Sequence, residues 1–225
     1  MEKSNKSKEI VGIIVAFLGA MLGCFGVRAF NVYVLMSLPL GVRMACMITF
    51  YWFVGLIPLI VMLVQKDKLK DYGFRREKMG LQIFVGVGLG LAMSLVLTLI
   101  PHLAGAGAYV DNGHRYMYLW QFIYEFVYCI VGVALTEEFV FRGILYEKIK
   151  RLGKGDLVPV ICSSALFGLF HIFNGNLLQV VLTGIIGAIF CIFRLKIKSC
   201  STLSLVLAHG VYDAMITVWL FVFLR

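Results

Sequence analysis

Apolar and polar positions along this chain fall in long blocks, not in short alternation. Seven apolar runs, near 10–30, 42–65, 79–101, 118–136, 157–173, 177–193 and 202–224, are separated by short polar stretches. About 20 helical residues cross roughly 30 Å of hydrocarbon. A single segment in lipid satisfies its own backbone hydrogen bonds only as a helix. The pattern therefore predicts an all-α polytopic membrane protein, a bundle of about seven transmembrane helices. The runs leave no room for a soluble domain, so residues 1–225 read as one integral-membrane domain.

Composition agrees, at 61% hydrophobic and 15% charged residues, well away from the usual balance of a globular domain. A net charge of +9 raises the question of a nucleic-acid partner, and its distribution answers against one. Basic residues gather in alternate loops: Lys3, Lys6 and Lys8; then Lys66, Lys68, Lys70, Arg75, Arg76 and Lys78; then Arg142, Lys148, Lys150, Arg151 and Lys154; then Arg194, Lys196 and Lys198. That puts 17 of the 21 on one side and leaves Arg28, Arg43, Arg115 and Arg225 for the other. By the positive-inside rule the N-terminus is cytoplasmic and the C-terminus outside. The partner implied by this charge is the lipid bilayer.

The first apolar run follows basic residues, as a signal peptide would, but it lacks a small-x-small cleavage site and reads as a retained span. Cys24, Cys46, Cys129, Cys162, Cys191 and Cys200 show no C-x-x-C pair and read as free thiols used in packing. The polar loop "QKDKLKDYGFRREK" carries Leu69, Tyr72 and Phe74 among its charges, which suits either a segment lying on the membrane surface or a solvated basic loop. Gly86 and Gly90 form a small-xxx-small face that lets helices approach closely. In the glycine-rich loop after Pro101, His102, Asp111 and His114 read as solvated. "FNGN", residues 173–176, is a turn signal.

Six ionisable residues lie inside or beside the later spans: Glu137, Glu138, Arg142, His171, His209 and Asp213. Each costs at least about 2.5–3.5 kcal/mol at mid-membrane, so such groups are functional candidates by default. In "LTEEFVFRG" Glu138 and Arg142 stand at i, i+4 and share a helix face, while Glu137 points about 100° away. The division that follows pairs Glu138 with Arg142 and leaves Glu137 free for chemistry. An ion pair marking the cytosolic end of the span is the plain alternative. In "FGLFH" Phe167 and His171 share a face, and a lone apolar-helix histidine is commonly a packing residue. In "HGVYD" His209 and Asp213 are again one turn apart.

Antiparallel helices bring together residues equally far from their turn. The turn "GKGD" centres near 154, with Glu137 17 residues before it and His171 17 after. At 1.5 Å per residue both stand about 25 Å from the turn, against about 15 Å for His209 from its own basic loop. The three meet only if the fourth helix runs on past the membrane surface through "RGILYEKIK". The "FNGN" turn then falls within the membrane thickness and needs shielding by protein.

Glu-Glu-x-x-x-Arg, then Phe-x-x-x-His about 30 residues on, then His-x-x-x-Asp in a late span resembles the CPBP family of intramembrane proteases, which includes CAAX prenyl endopeptidases and bacteriocin-processing enzymes and is also called Abi. The resemblance covers about residues 118–220, the expected catalytic core. Asp213 stands where eukaryotic-type members carry Asn, and the broader family has either. The resemblance implies a helical bundle around a cavity open to the cytosol and hydrolysis of a peptide bond in a membrane-associated peptide or protein. It implies Glu137 as general base acting with His171 on a water, His209 and Asp213 orienting or stabilising the oxyanion, and Glu138, Arg142 and Phe167 in support. No cofactor is expected; the alternative is a zinc site of Glu137, His171 and His209, although the chain lacks H-E-x-x-H. The competing functions are a proton-coupled transporter, against which the lack of an internal repeat counts, and a non-catalytic immunity or scaffold protein of the same shape. Small size and lysine-rich loops suit a prokaryotic plasma membrane.

Overall fold

The computed structural model describes residues 2–111, 113–153, 155–174 and 176–223. Lys154 at the centre of the predicted turn, Gly175 of "FNGN" and Arg225 lie outside the described residues. The described chain is mostly helical: α1 (Glu2–Tyr33), α2 (Leu40–Tyr51), α3 (Phe53–Val64), α4 (Met79–Val110, kinked at Gly105), α5 (Leu119–Leu152), α6 (Leu157–Phe170), α7 (Leu177–Lys196) and α8 (Thr202–Phe223). No strand occurs among the described residues. Among the described residues six segments are long and apolar enough to cross a membrane, with α2 and α3 together forming one of them, Leu40–Val64. The seventh expected span is shorter. The 14 residues of α6 extend about 21 Å, less than the hydrocarbon thickness, and pass into a 3-10 turn at His171–Asn174.

The fourth span does continue as expected. A single helical run of 34 residues carries Leu119 through Leu152, so "RGILYEKIK" extends α5 beyond the apolar stretch. Its second half packs on α6, with Phe141 centred 5.0 Å from Phe167 and 5.2 Å from Phe170.

Close backbone approach organises the other contacts. A Cβ placed on Gly86 would sit 2.6 Å from Ser204 O, and one on Gly90 would sit 2.7 Å from Ala208 O. The small-xxx-small face of α4 is therefore the seat of α8. Gly210 repeats the device on the other side of α8, where its Cβ would lie 2.6 Å from Ile130 Cα. In this way α8 is wedged between α4 and α5, one residue from His209.

The basic loop between α3 and α4 is largely exposed but is anchored to the bundle at Tyr72. Tyr72 is fully buried, donates its hydroxyl to Asp67, and accepts Thr202 Oγ1 on its carbonyl at 2.8 Å. Lys148, counted above among loop cations, is also fully buried, 3.0 Å from both Glu9 and Asp67. Arg151 reaches the same two carboxylates at 3.3 and 3.2 Å. His114 is not simply solvated either: it lies 3.2 Å from buried Glu125, while Asp111 pairs with Arg115 at 2.6 Å. All six cysteines are free thiols.

Candidate active site

Glu137 and Glu138 occupy a short α-helical stretch, Leu135–Glu138, between two π-helical turns, Tyr128–Ala134 and Phe139–Leu145. Such wide turns inside a helix cluster at functional positions. Both glutamates are buried, at 2% and 0% exposure. Arg142, 1% exposed, donates from Nη1 to Glu138 Oε1 at 2.8 Å. The i, i+4 pair read from the sequence therefore forms, and it is buried within the protein. The guanidinium lies 4.0 Å over the Phe167 ring and 5.1 Å from the Phe190 ring. Aromatic faces thereby cover a cation that Glu138 neutralises.

His209 comes to the same carboxylate from α8. Its Nδ1 lies 2.8 Å from Glu138 Oε1, and its Nε2 lies 3.2 Å from Asp213 Oδ2 and 3.9 Å from Glu137 Oε2. Carboxylates only accept, so each close contact is an imidazole N–H donating, and both contacts are donations only when the ring carries two protons. Glu137 itself accepts the hydroxyl of Tyr51 on Oε1. Among the described residues Glu137 Oε2, Glu138 Oε2 and Arg142 Nη2 have no hydrogen-bond partner. Buried polar atoms are nearly always satisfied, and the exceptions are characteristic of reactive sites.

His171 is placed differently. It lies in the 3-10 turn after α6 and donates Nδ1–H to Phe167 O at 2.9 Å. That contact leaves Nε2 as the nitrogen able to take a proton. No hydrogen bond or ion pair joins it to Glu137 or His209 among the described residues. Its link to the cluster is the Phe167 ring, centred 4.8 Å from His171 and 6.1 Å from His209. Glu137, Glu138, Arg142, His209 and Asp213 thus form one connected group, and His171 borders it through an aromatic wall. Asp213 and His171 are the partly exposed members, so the group opens on their side.

The donors do not fit the zinc alternative as placed. Glu138 holds one nitrogen of His209, Asp213 faces the other, and His171 shares no hydrogen bond or ion pair with the group among the described residues. Among the described residues no three His, Cys, Asp or Glu side chains are arranged to hold one ion.

Two residues of the site carried no signal in the sequence. Tyr51 ends α2, and Trp52, at the break before α3, donates its indole N–H to Val131 O at 2.8 Å. Both sit in "FYWF", which reads as ordinary apolar aromatic span. A tyrosine is marked as polar only by the partner it reaches, and here that partner lies 86 positions away.

Fold and site together define an all-helical membrane protein with a buried acid–imidazole centre. Residues 119–215 match the family described as Rce1-like, type II CAAX prenyl endopeptidase, the CAAX protease family that the three motifs resemble. At the family level the match supports a CAAX-type intramembrane endopeptidase. The matched segment runs from the start of α5 into α8 and includes each motif residue, whereas α1 to α4, with Tyr51, fall outside it. No curated protein and no solved structure matches the chain.

Proposed function

We propose that this protein hydrolyses a peptide bond in a membrane-associated peptide or protein, with Glu137 as general base. One observation carries the reading. Glu137 is buried, fixed through one oxygen, unpartnered at the other, and that second oxygen lies 3.9 Å from His209 Nε2.

In the proposed reaction Glu137 Oε2 takes a proton from water while His171 Nε2 holds that water from the open side. The hydroxide adds to the scissile carbonyl carbon, and the carbonyl oxygen becomes the oxyanion. The N–H on His209 Nε2, kept in place by Asp213 and by Glu138 on the far side of the ring, donates to that oxygen. Collapse breaks the C–N bond, and the proton on Glu137 passes to the leaving amine. Positioned acid–base groups contribute about 10²–10⁴ in rate and an oxyanion donor about 10²–10³. Arg142 acts through Glu138, whose charge it holds inside the protein. The steps use no metal, because the donors that zinc would need are engaged with one another or set apart. Chelators are expected to leave turnover unchanged.

The connected acids and imidazole of Glu138, His209 and Asp213 also favour a second reading, a proton-coupled carrier. The test is mass-spectrometric screening of membrane-anchored peptides, prenylated and unmodified, with wild-type and Glu137→Gln protein in proteoliposomes. Cleavage by wild type alone supports the protease. Equal cleavage removes Glu137 as base. Proton-driven flux without cleavage supports the carrier, and neither activity supports the scaffold. The basic loops support a cytoplasmic N-terminus in a prokaryotic plasma membrane, where bacteriocin or peptide processing is the suited role; cysteine labelling from each side tests the orientation.

A further inference from the structure

The geometry points to Tyr51 as the positioning residue that decides which oxygen of Glu137 acts as the base. The inference rests on the protease reading above and adds to it a residue from outside the family-matched segment.

A carboxylate at the end of a glutamate side chain turns easily, because its last torsion is broad and nearly two-fold. Glu137 has two candidate oxygens and a single hydrogen-bond donor to sort them. The Tyr51 hydroxyl donates to Oε1. Oε2 is thereby left unpartnered on the side where His209 Nε2 stands 3.9 Å away. A second donor at Oε2 would occupy the lone pair that the reaction needs, and none is present among the described residues.

Tyr51 is itself held with care. It is the last residue of α2, and the next residue, Trp52, fastens the α2–α3 break to α5 through Val131 O at 2.8 Å. Three residues on from Trp52, a Cβ on Gly55 would lie 3.2 Å from Thr136 Cγ2, so the start of α3 presses on α5 directly before Glu137. On the other side, Phe50 stacks on Phe30 at 4.3 Å with the rings 12° from parallel. The hydroxyl is therefore delivered to α5 by backbone and ring contacts on both sides of Tyr51. A reactive group held by locked neighbours is the arrangement that preserves attack geometry. It also assigns a task to α2, whose sequence carries no motif: it supplies the strut for a base located on α5.

The experiment compares wild type, Tyr51→Phe, Trp52→Phe, Glu137→Gln and the Tyr51→Phe/Glu137→Gln double variant. The substrate is a fluorogenic form of a lipid-anchored peptide that wild type cleaves in the screen above. Tyr51→Phe is expected to lower kcat about 10- to 100-fold, the range for a misplaced reacting group, with KM within about twofold. It is expected to have no further effect in the Glu137→Gln background. Isotope-edited infrared spectra of glutamate-labelled protein supply a readout independent of turnover: the Glu137 carboxylate band, identified by its loss in Glu137→Gln, shifts in Tyr51→Phe and shifts less in Trp52→Phe, which loosens the strut but keeps the hydroxyl.

Should Tyr51→Phe fail to fold, 3-fluorotyrosine and 3,5-difluorotyrosine at position 51 keep the ring and grade its donor strength, and kcat is expected to change in step. An unmoved carboxylate band, or a kcat indifferent to all three substitutions while Glu137→Gln is inactive, overturns the role of Tyr51 alone. Retained cleavage by Glu137→Gln, or no peptide cleaved by wild type, overturns the protease reading beneath it.

Discussion

Glu138 and His209, 71 positions apart in sequence, are joined at 2.8 Å through the same oxygen, Oε1, that receives Arg142 Nη1 at 2.8 Å. One buried carboxylate thus serves as counter-charge to a guanidinium and as orienter of an imidazole. Removing it leaves Arg142, 1% exposed, as a buried charge with no opposite partner. Breaking a buried pair from one side typically costs about 3–5 kcal/mol, whereas replacing both partners by apolar groups is often neutral. Glu138→Leu is therefore expected to destabilise strongly, and Glu138→Leu/Arg142→Leu much less than the sum of its single variants. A double-mutant cycle by unfolding in micelles measures this. Both versions are expected to lose turnover, because His209 loses its anchor in each.

Asp213 tests how His209 is aimed. Its Oδ2 lies 3.2 Å from Nε2, a contact that needs an acceptor oxygen at that place. Asn keeps such an oxygen; Ala does not. Asp213→Asn is expected to stay within about tenfold of wild-type kcat, and Asp213→Ala to fall about 10²-fold, the scale of loss for a displaced reacting group. Equal effects of the two in steady-state assays would contradict this role.

Much of this centre was legible before any coordinates. Glu138 with Arg142 and His209 with Asp213 are neighbours by helix geometry alone, so apolar surroundings were enough to mark them. Gly86 and Gly90 announced a close packing face for the same reason. What sequence hid was long-range pairing. Lys148 counts as a loop cation until Glu9, 139 positions earlier, and Asp67 are seen to enclose it. Tyr51 reads as one more aromatic residue of a span until its hydroxyl is seen on Glu137. The apolar run 157–173 coincides with the short apolar helical segment Leu157–Phe173, but composition does not mark the change to a 3-10 turn after Phe170.

The enclosure of Lys148 gives a stability prediction with a pH signature. Partial burial pushes the Asp67 carboxyl upward, but hydrogen bonds from Tyr72 and Lys148 and the charges of Lys148 and Arg151 outweigh it and hold the group below its ordinary value. A depressed folded value contributes stability that is present above the unfolded value, about 3.9, and is lost as pH falls through the folded value. As pH falls below the unfolded value of about 3.9, the thermal midpoint of wild type is expected to drop by more than that of Asp67→Asn. Lys148→Met, which leaves Glu9 and Asp67 without their central cation, is expected to cost about 3–5 kcal/mol at neutral pH.

The seat of α8 on α4 can be tested with three glycines on one helix. Cβ atoms on Gly86 and Gly90 would come 2.6 and 2.7 Å from backbone carbonyls of α8, whereas a Cβ on Gly88 would meet nothing within 4 Å. A backbone carbonyl cannot swing aside as a flexible side chain does, so alanine at 86 or 90 must push the helices apart. Such overpacking typically costs about 1–3 kcal/mol. At position 88 the same substitution meets open space and removes a helix-interior glycine, a gain of up to about 1 kcal/mol. Gly86→Ala and Gly90→Ala are therefore expected to lower the unfolding midpoint, and Gly88→Ala to leave it unchanged or raise it. Because Gly90 bears on Ala208, the residue before His209, Gly90→Ala is also expected to depress turnover while Gly88→Ala retains it. Midpoints and kcat measured side by side separate this arrangement from one in which the α4 glycines merely loosen the helix, where all three substitutions would stabilise alike.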